Sequence, residues 1–263
     1  MALFQRKTPL EKEWIRLQKR EKNFLRDRMN KKEGTLDAML AGKVPDRLQE
    51  TLSHAFRKTF ALIFEKGTGI IEKTYRKDRL EKENAADRDT VRNLQTKKTL
   101  RASAKKAVRT GRGNMLLSGA AGIGMGVIGV GLPDIPLFTA QLLRNLYEIA
   151  LRYGYGYESA REKSFILLLI RGGLSHGDEL LAINAHIDRV IGNAAGKNRV
   201  EEEIGYAADA LSRELLYMKF LQGIPIVGAV GGAYDLLCMK RINEYANLKY
   251  QRRYLLEHGA ADQ

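Results

Sequence analysis

The stretch Val44-Pro-Asp-Arg-Leu-Gln-Glu-Thr-Leu-Ser-His-Ala-Phe-Arg-Lys-Thr-Phe-Ala-Leu-Ile-Phe64 decides the fold class. Pro45 has the fixed φ that suits a first helical turn, and Asp46 stands where a negative charge meets the positive end of the helix dipole. Leu48, Leu52, Ala55, Phe56, Phe60, Ile63 and Phe64 then recur every three or four residues and mark one apolar face. Upstream, Leu10, Trp14, Leu17, Phe24, Leu25 and Met29 repeat that spacing among Lys and Arg, which reads as a basic amphipathic helix from Pro9 to Lys32. Its apolar stripe docks on a core while its charges face water or a membrane surface. Downstream, Phe165–Ile170 is apolar but short and bounded by Lys163 and Arg171, so it predicts a buried helical segment that Gly172-Gly173 breaks. Asp178–Ile191 and Arg199–Leu221 continue with helical spacing. Alternation at period two is missing, and the expected fold is all-α.

Charge divides the chain. Residues 1–113 hold 30 Lys and Arg against 15 Asp and Glu, or +15, whereas residues 114–263 hold 15 against 16, or −1. A basic arm joined to a neutral body predicts contact with an anionic surface, either membrane or nucleic acid. The basic positions Lys97, Lys98, Lys105, Lys106, Arg109 and Arg112 close a charged stretch, residues 75–112, that reads as a solvated helix or linker. Aromatic residues are nearly missing there, which disfavours base stacking and so single-stranded nucleic acid. The lone cysteine, Cys238, excludes an intramolecular disulfide and fits a reducing compartment. The N-terminal residues lack the order of a secretory signal, so export is not expected.

Two segments stand apart in composition. Residues 115–133 carry no charge and six glycines, and as one helix would extend about 28 Å at 1.5 Å per residue, close to a bilayer's hydrocarbon thickness. Each interior glycine costs roughly 1 kcal/mol of helix propensity relative to alanine, so a closely packed or membrane-inserted hairpin is expected rather than an isolated anchor. Gly122 and Gly126 share a helical face, and Pro133 and Pro136 close the segment. Residues 220–234 repeat the mixture with Pro225, Gly228 and Gly232. Each is followed by a Glu-x-Ala step and a tyrosine, Glu148 to Tyr153 and Glu244 to Tyr250, a weak suggestion of duplication. Mean hydropathy of −0.34 is low for a polytopic membrane protein, so burial of both hairpins within protein also stays open.

Chemical motifs are sparse. Gly124-Met-Gly126-Val-Ile-Gly129 matches a dinucleotide fingerprint, but Pro133 and Pro136 interrupt the long helix that fingerprint requires. His54, His176, His186 and His258 are scattered; His176, Glu179 and His186 give only the outline of a metal site, and neither metal nor cofactor is expected. Asp134, beside Pro133, reads as a helix cap. The functional alternative gathers Asp134, Glu148, Asp235 and Glu244 into a carboxylate-lined pocket whose apolar surroundings would perturb their pKa values, as acid–base catalysis needs.

Gly129-Val-Gly-Leu-Pro-Asp-Ile-Pro136, Leu146-Tyr-Glu-Ile-Ala-Leu-Arg-Tyr-Gly154, Gly223-Ile-Pro-Ile-Val-Gly-Ala-Val-Gly-Gly232 and Arg252-Arg-Tyr-Leu255 together resemble the EcsC protein family, as does Val44-Pro45 with its helix. The resemblance covers residues 44–74 and 114–256. It implies a helical bacterial protein, cytoplasmic or membrane-associated, accessory to an ATP-driven export transporter, with no established reaction to carry over. Asp134 takes the aspartate of the family's D-I-P step and Gly154 the end of its tyrosine–glycine step, while Tyr234-Asp235 stands in place of a small or polar pair such as Ala-Asn.

The expected architecture is therefore a compact multi-helix bundle with two glycine- and proline-rich apolar hairpins. Residues 1–43 would be a basic amphipathic extension, 44–256 the EcsC-like domain and 257–263 a flexible tail. The leading functional expectation is a membrane-associated accessory or scaffold protein, linked to membrane transport or secretion and held peripherally or partly inserted at the inner face of the cell membrane. An enzyme using the four carboxylates and a nucleic-acid binder using residues 75–112 are the alternatives.

Overall fold

The computed structural model describes residues 7–29, 46–66, 135–192, 199–221 and 231–260, and among these every regular element is an α-helix. They are α1 (Pro9–Met29), α2 (Asp46–Lys66), α3 (Ile135–Arg152), α4 (Ala160–Leu174), α5 (Gly177–Gly192), α6 (Val200–Leu221) and α7 (Gly231–Glu257). The all-α reading holds, and the predicted apolar faces are buried at Leu52, Phe56 and Phe60 of α2 and at Leu10, Leu17 and Phe24 of α1, whereas Met29, expected on the docked stripe of α1, is exposed at the end of that helix.

Local chemistry fixes the helix ends. Thr8 and Glu11 form a reciprocal capping box at the start of α1, with Glu11 N donating to Thr8 Oγ1 at 3.2 Å and Thr8 N donating to Glu11 Oε2 at 2.5 Å. Ser159 caps α4 by accepting from Glu162 N at 3.2 Å. Helices α3 and α7 close alike. Gly154, at φ 84°, and Gly259, at φ 79°, take the left-handed conformation, while Tyr155 N donates to Ala150 O and Ala260 N to Leu255 O across six-residue loops. Both are Schellman closures. The second one carries the fold past residue 257, where the tail was expected to begin, and buries Ala260.

Helix α7 is central, packed against α1, α3, α4 and α5, while α6 lies between α2 and α4. Burial continues without a break from Tyr245 to Gln251, so α7 has no solvent face there. Its approach to α4 explains one departure from expectation. Gly172 and Gly173 do not break α4; the helix runs on to Leu174. A Cβ on Gly173 would lie 2.7 Å from Ile242 Cα, and one on Gly172 would collide with the Tyr245 ring. These glycines let two backbones touch, and tertiary contact outweighs their poor helix propensity.

Candidate functional site

Helix α1 has two faces with opposite tasks. Leu10, Leu17, Glu21, Phe24 and Arg28 point into the protein. Turned the other way, Ile15, Lys19, Lys22, Arg26 and Met29 follow one another at intervals of four and three residues, all exposed. This stripe carries three cations between two apolar ends, Ile15 at 43% and Met29 at 38% exposure.

Beneath it lies an ionic centre joining α1, α5 and α7. Lys249, only 1% exposed, donates to Glu21 Oε1 at 3.1 Å and to Asp188 Oδ1 at 2.7 Å. Arg252 reaches Glu21 Oε2 at 2.7 Å and Asp188 Oδ1 at 3.3 Å, with its guanidinium 5.1 Å from the Trp14 ring centre. Two cations thus balance two carboxylates, the condition under which charge is tolerated in an interior. Tyr245 stacks on Phe24 at 5.2 Å and donates to Asn184 Oδ1 at 3.1 Å. Arg28 lies over Phe24 and donates to Gly173 O at 2.5 Å, so a cation neutralises the carbonyl end of α4. Burial, reinforced by Arg241, pushes Arg28 down to about 10, which still leaves it charged at neutral pH.

A second knot ties α4 to α7. Buried Glu162 accepts from the Tyr250 hydroxyl at 2.7 Å and from Arg253 at 2.9 Å. Burial first, then the Glu162 charge, hold Tyr250 well above the ordinary tyrosine range, so its hydroxyl remains a donor. Arg253 also lies 3.9 Å from the Tyr155 ring centre. Between α2 and α6, Arg57 grips Asp209 with two bonds of 3.0 and 2.9 Å, and Ser53 donates to the same carboxylate.

Of the four carboxylates expected to form a pocket, Glu148 is buried on α3 and accepts from Arg144 Nε at 3.0 Å. Glu244 is exposed on α7, and Asp235 falls in the second turn of that helix. Asp134, Gly122, Gly126, Pro133, Pro225, Gly228 and the basic positions from Lys97 to Arg112 lie outside the described residues. Pro136 is exposed in the first turn of α3, and Gly232 lies in the first turn of α7. Glu179 pairs with Arg171 at 3.3 Å, and no three His, Cys, Asp or Glu among the described residues group as metal ligands.

Sequence reasoning missed the seam between α3 and α7. Asn145 Nδ2 approaches Met239 Sδ at 3.7 Å and Tyr153 stacks on Tyr250, so the two helices advance side by side in one direction. Gln141, Asn145, Glu148 and Arg152 share a stripe of α3, and Met239, Asn243 and Asn247 share one of α7. Both polar atoms of the Asn243 amide, with Asn145 Oδ1 and Asn247 Oδ1, are buried without a hydrogen-bond partner among the described residues. The sequence signal was the regular polar spacing inside otherwise buried helices.

Neither the curated proteins nor the solved structures offer a match to this chain. Among family models one matches from residue 11 to residue 255, which takes in all but the first two residues of α1, a helix that the motif resemblance left outside. That model describes the EcsC protein family, and the chain belongs to it.

Proposed function

We propose that this protein is a helical accessory or scaffold that docks peripherally on anionic phospholipid at the inner face of the cell membrane, beside a membrane transport or secretion protein. The observation that carries the reading is the outer stripe of α1, where Lys19, Lys22 and Arg26 stand between Ile15 and Met29 on a helix anchored by its other face. Three cations at about 1 kcal/mol each give ~3 kcal/mol near an anionic surface, less than a millimolar dissociation constant requires. Docking therefore draws on the wider +15 charge of residues 1–113 and on partial insertion of the two apolar ends. No helix among the described residues is long and apolar enough to cross a membrane, so the contact argued for α1 is superficial and sensitive to salt.

Sedimentation of the full chain with vesicles tests this. Binding should require phosphatidylglycerol in the vesicle and should be released by high salt. The triple variant Lys19→Gln/Lys22→Gln/Arg26→Gln should bind roughly 100-fold more weakly, the ~3 kcal/mol of three surface cations. Equal binding to uncharged phosphatidylcholine vesicles, or undiminished binding by the triple variant, would overturn the proposal; tight binding to duplex DNA in place of vesicles would move the charge asymmetry to nucleic acid.

A further inference from the structure

A groove of about 430 Å³ runs between α1 and α5 along the flank of that stripe, lined by Glu21, Lys22, Leu25, Arg26, Asn184 and Asp188, with Gln18 at its rim. We infer that it seats a phospholipid headgroup bearing a phosphate and a primary ammonium, that is, phosphoethanolamine chemistry; the inference rests on the membrane reading above.

Charge complementarity carries the argument. In the ionic centre Lys249 and Arg252 already balance Glu21 and Asp188, so Lys22 and Arg26 on the groove wall are uncancelled by that centre. Lys22 makes no ion pair among the described residues, and Arg26 meets only Asp27, at 3.5 Å, where both side chains are about two-thirds exposed and the pair is screened by water. These two cations form a pole for phosphate. The opposite pole is the Asp188 carboxylate. Its Oδ1 is taken by Lys249 and Arg252, whereas among the described residues Oδ2 accepts only the neutral Asn184 amide, at 3.2 Å. A carboxylate oxygen has room for a further donor, and a primary ammonium carries three. A quaternary ammonium of the choline type carries none. Leu25 gives the groove an apolar wall for the carbons between the two charges.

The groove and the stripe share Lys22 and Arg26, so a headgroup drawn from the bilayer surface reaches the groove without leaving the membrane plane. Glu21 fixes the geometry: with both its oxygens bound by Lys249 and Arg252, it holds α1 against α7, and the same two cations bind Asp188 of α5.

The test uses the full chain and vesicles of fixed phosphatidylglycerol content in which the remaining lipid is phosphatidylethanolamine or phosphatidylcholine. Affinity should be at least fivefold higher with phosphatidylethanolamine. Gln18→Trp, at an exposed rim position outside the stripe, should fill the groove and abolish that difference while leaving binding to phosphatidylglycerol vesicles intact. Equal affinity for the two mixtures overturns the headgroup site and leaves electrostatic docking standing. A preference that survives Gln18→Trp assigns it to bilayer packing and likewise overturns the site. Failure to bind any phosphatidylglycerol vesicle sinks the membrane reading itself. Free phosphoethanolamine that saturates the chain at micromolar concentration without vesicles would reassign the groove to a soluble ligand and overturn the lipid source.

Discussion

Helix α7 presents two buried polar faces that are built on opposite terms. Toward α1 and α5 it offers Tyr245, Lys249 and Arg252, and every one of these polar groups finds a partner. Toward α3 it offers Asn243 and Asn247, whose amides lack partners among the described residues apart from Asn247 Nδ2, bonded to Asn243 O at 2.7 Å. Full charges taken from water cost several kcal/mol per ion and are retained only in complete sets, whereas a buried neutral amide left alone costs about 1–3 kcal/mol and is survivable. The ionic face therefore specifies how α1 is held. The amide face leaves a polar seam with unspent hydrogen-bonding capacity.

The largest effect should come from breaking the complete set. Lys249→Met leaves Glu21 and Asp188 with Arg252 alone and should destabilise the protein by about 3–5 kcal/mol in urea unfolding. Adding Glu21→Gln to that variant should recover part of the loss, because it removes one uncompensated charge. A loss below about 1 kcal/mol would mean that water already penetrates the ionic centre. Next in size is Gly173→Ala. The new methyl would lie 2.7 Å from the Ile242 backbone, which no rotamer change relieves, so α4 and α7 must separate at about 1–3 kcal/mol. Thermal unfolding measures it, and a neutral result would show that the contact between these helices is loose.

These two positions also mark what the sequence made legible. Apolar periodicity at Leu52, Phe56 and Phe60, and at Leu10, Leu17 and Phe24, foretold both the helices and their buried faces, because burial needs only the local spacing. The glycine pair was misread as a break because its reason lies some seventy positions away, in the backbone of α7. The ionic pairings escape a sequence reading: the partners are 228 residues apart for Lys249 and Glu21 and 88 for Glu162 and Tyr250, distances at which no sequence spacing operates. The Ser159-Ala-Arg-Glu162 spacing shows the limit well. It suits a capping box, and Ser159 does cap, yet the Glu162 carboxylate turns to Tyr250 and Arg253.

Glu203 on α6 tests the rule at an incomplete charge. It is buried, its Oε2 has no partner among the described residues, and burial raises its pKa above the usual glutamate range despite the opposing pull of Arg171. A raised folded-state pKa means that the native protein holds the proton more tightly than the unfolded chain. Glu203 thus contributes stability at pH below the ordinary glutamate range and loses it as pH rises through the folded value. Glu203→Gln should be more stable than the parent at pH 7, with the advantage shrinking toward pH 4, as followed by urea unfolding across that range. An advantage independent of pH would show that the carboxylate never titrates differently in the two states.

The smallest change is expected on the amide face, where it discriminates most. Asn243→Leu keeps the number and branching of the side-chain heavy atoms, in a bulkier form, while removing a donor and an acceptor that are buried without partners among the described residues. If the amide is idle, its desolvation cost of about 1–3 kcal/mol disappears and offsets the strain of seating two bulkier methyls, so stability should stay within about 1 kcal/mol of the parent or rise. Lys249→Met and Asn243→Leu then differ by several kcal/mol although both replace a buried polar side chain of the same helix with an apolar one. A loss above about 2 kcal/mol for Asn243→Leu would reverse the comparison: the seam would have to hold ordered water or a polar ligand bonded to Asn243, and Asn145→Leu, on the facing stripe of α3, should then show the same loss without adding to it in the double variant.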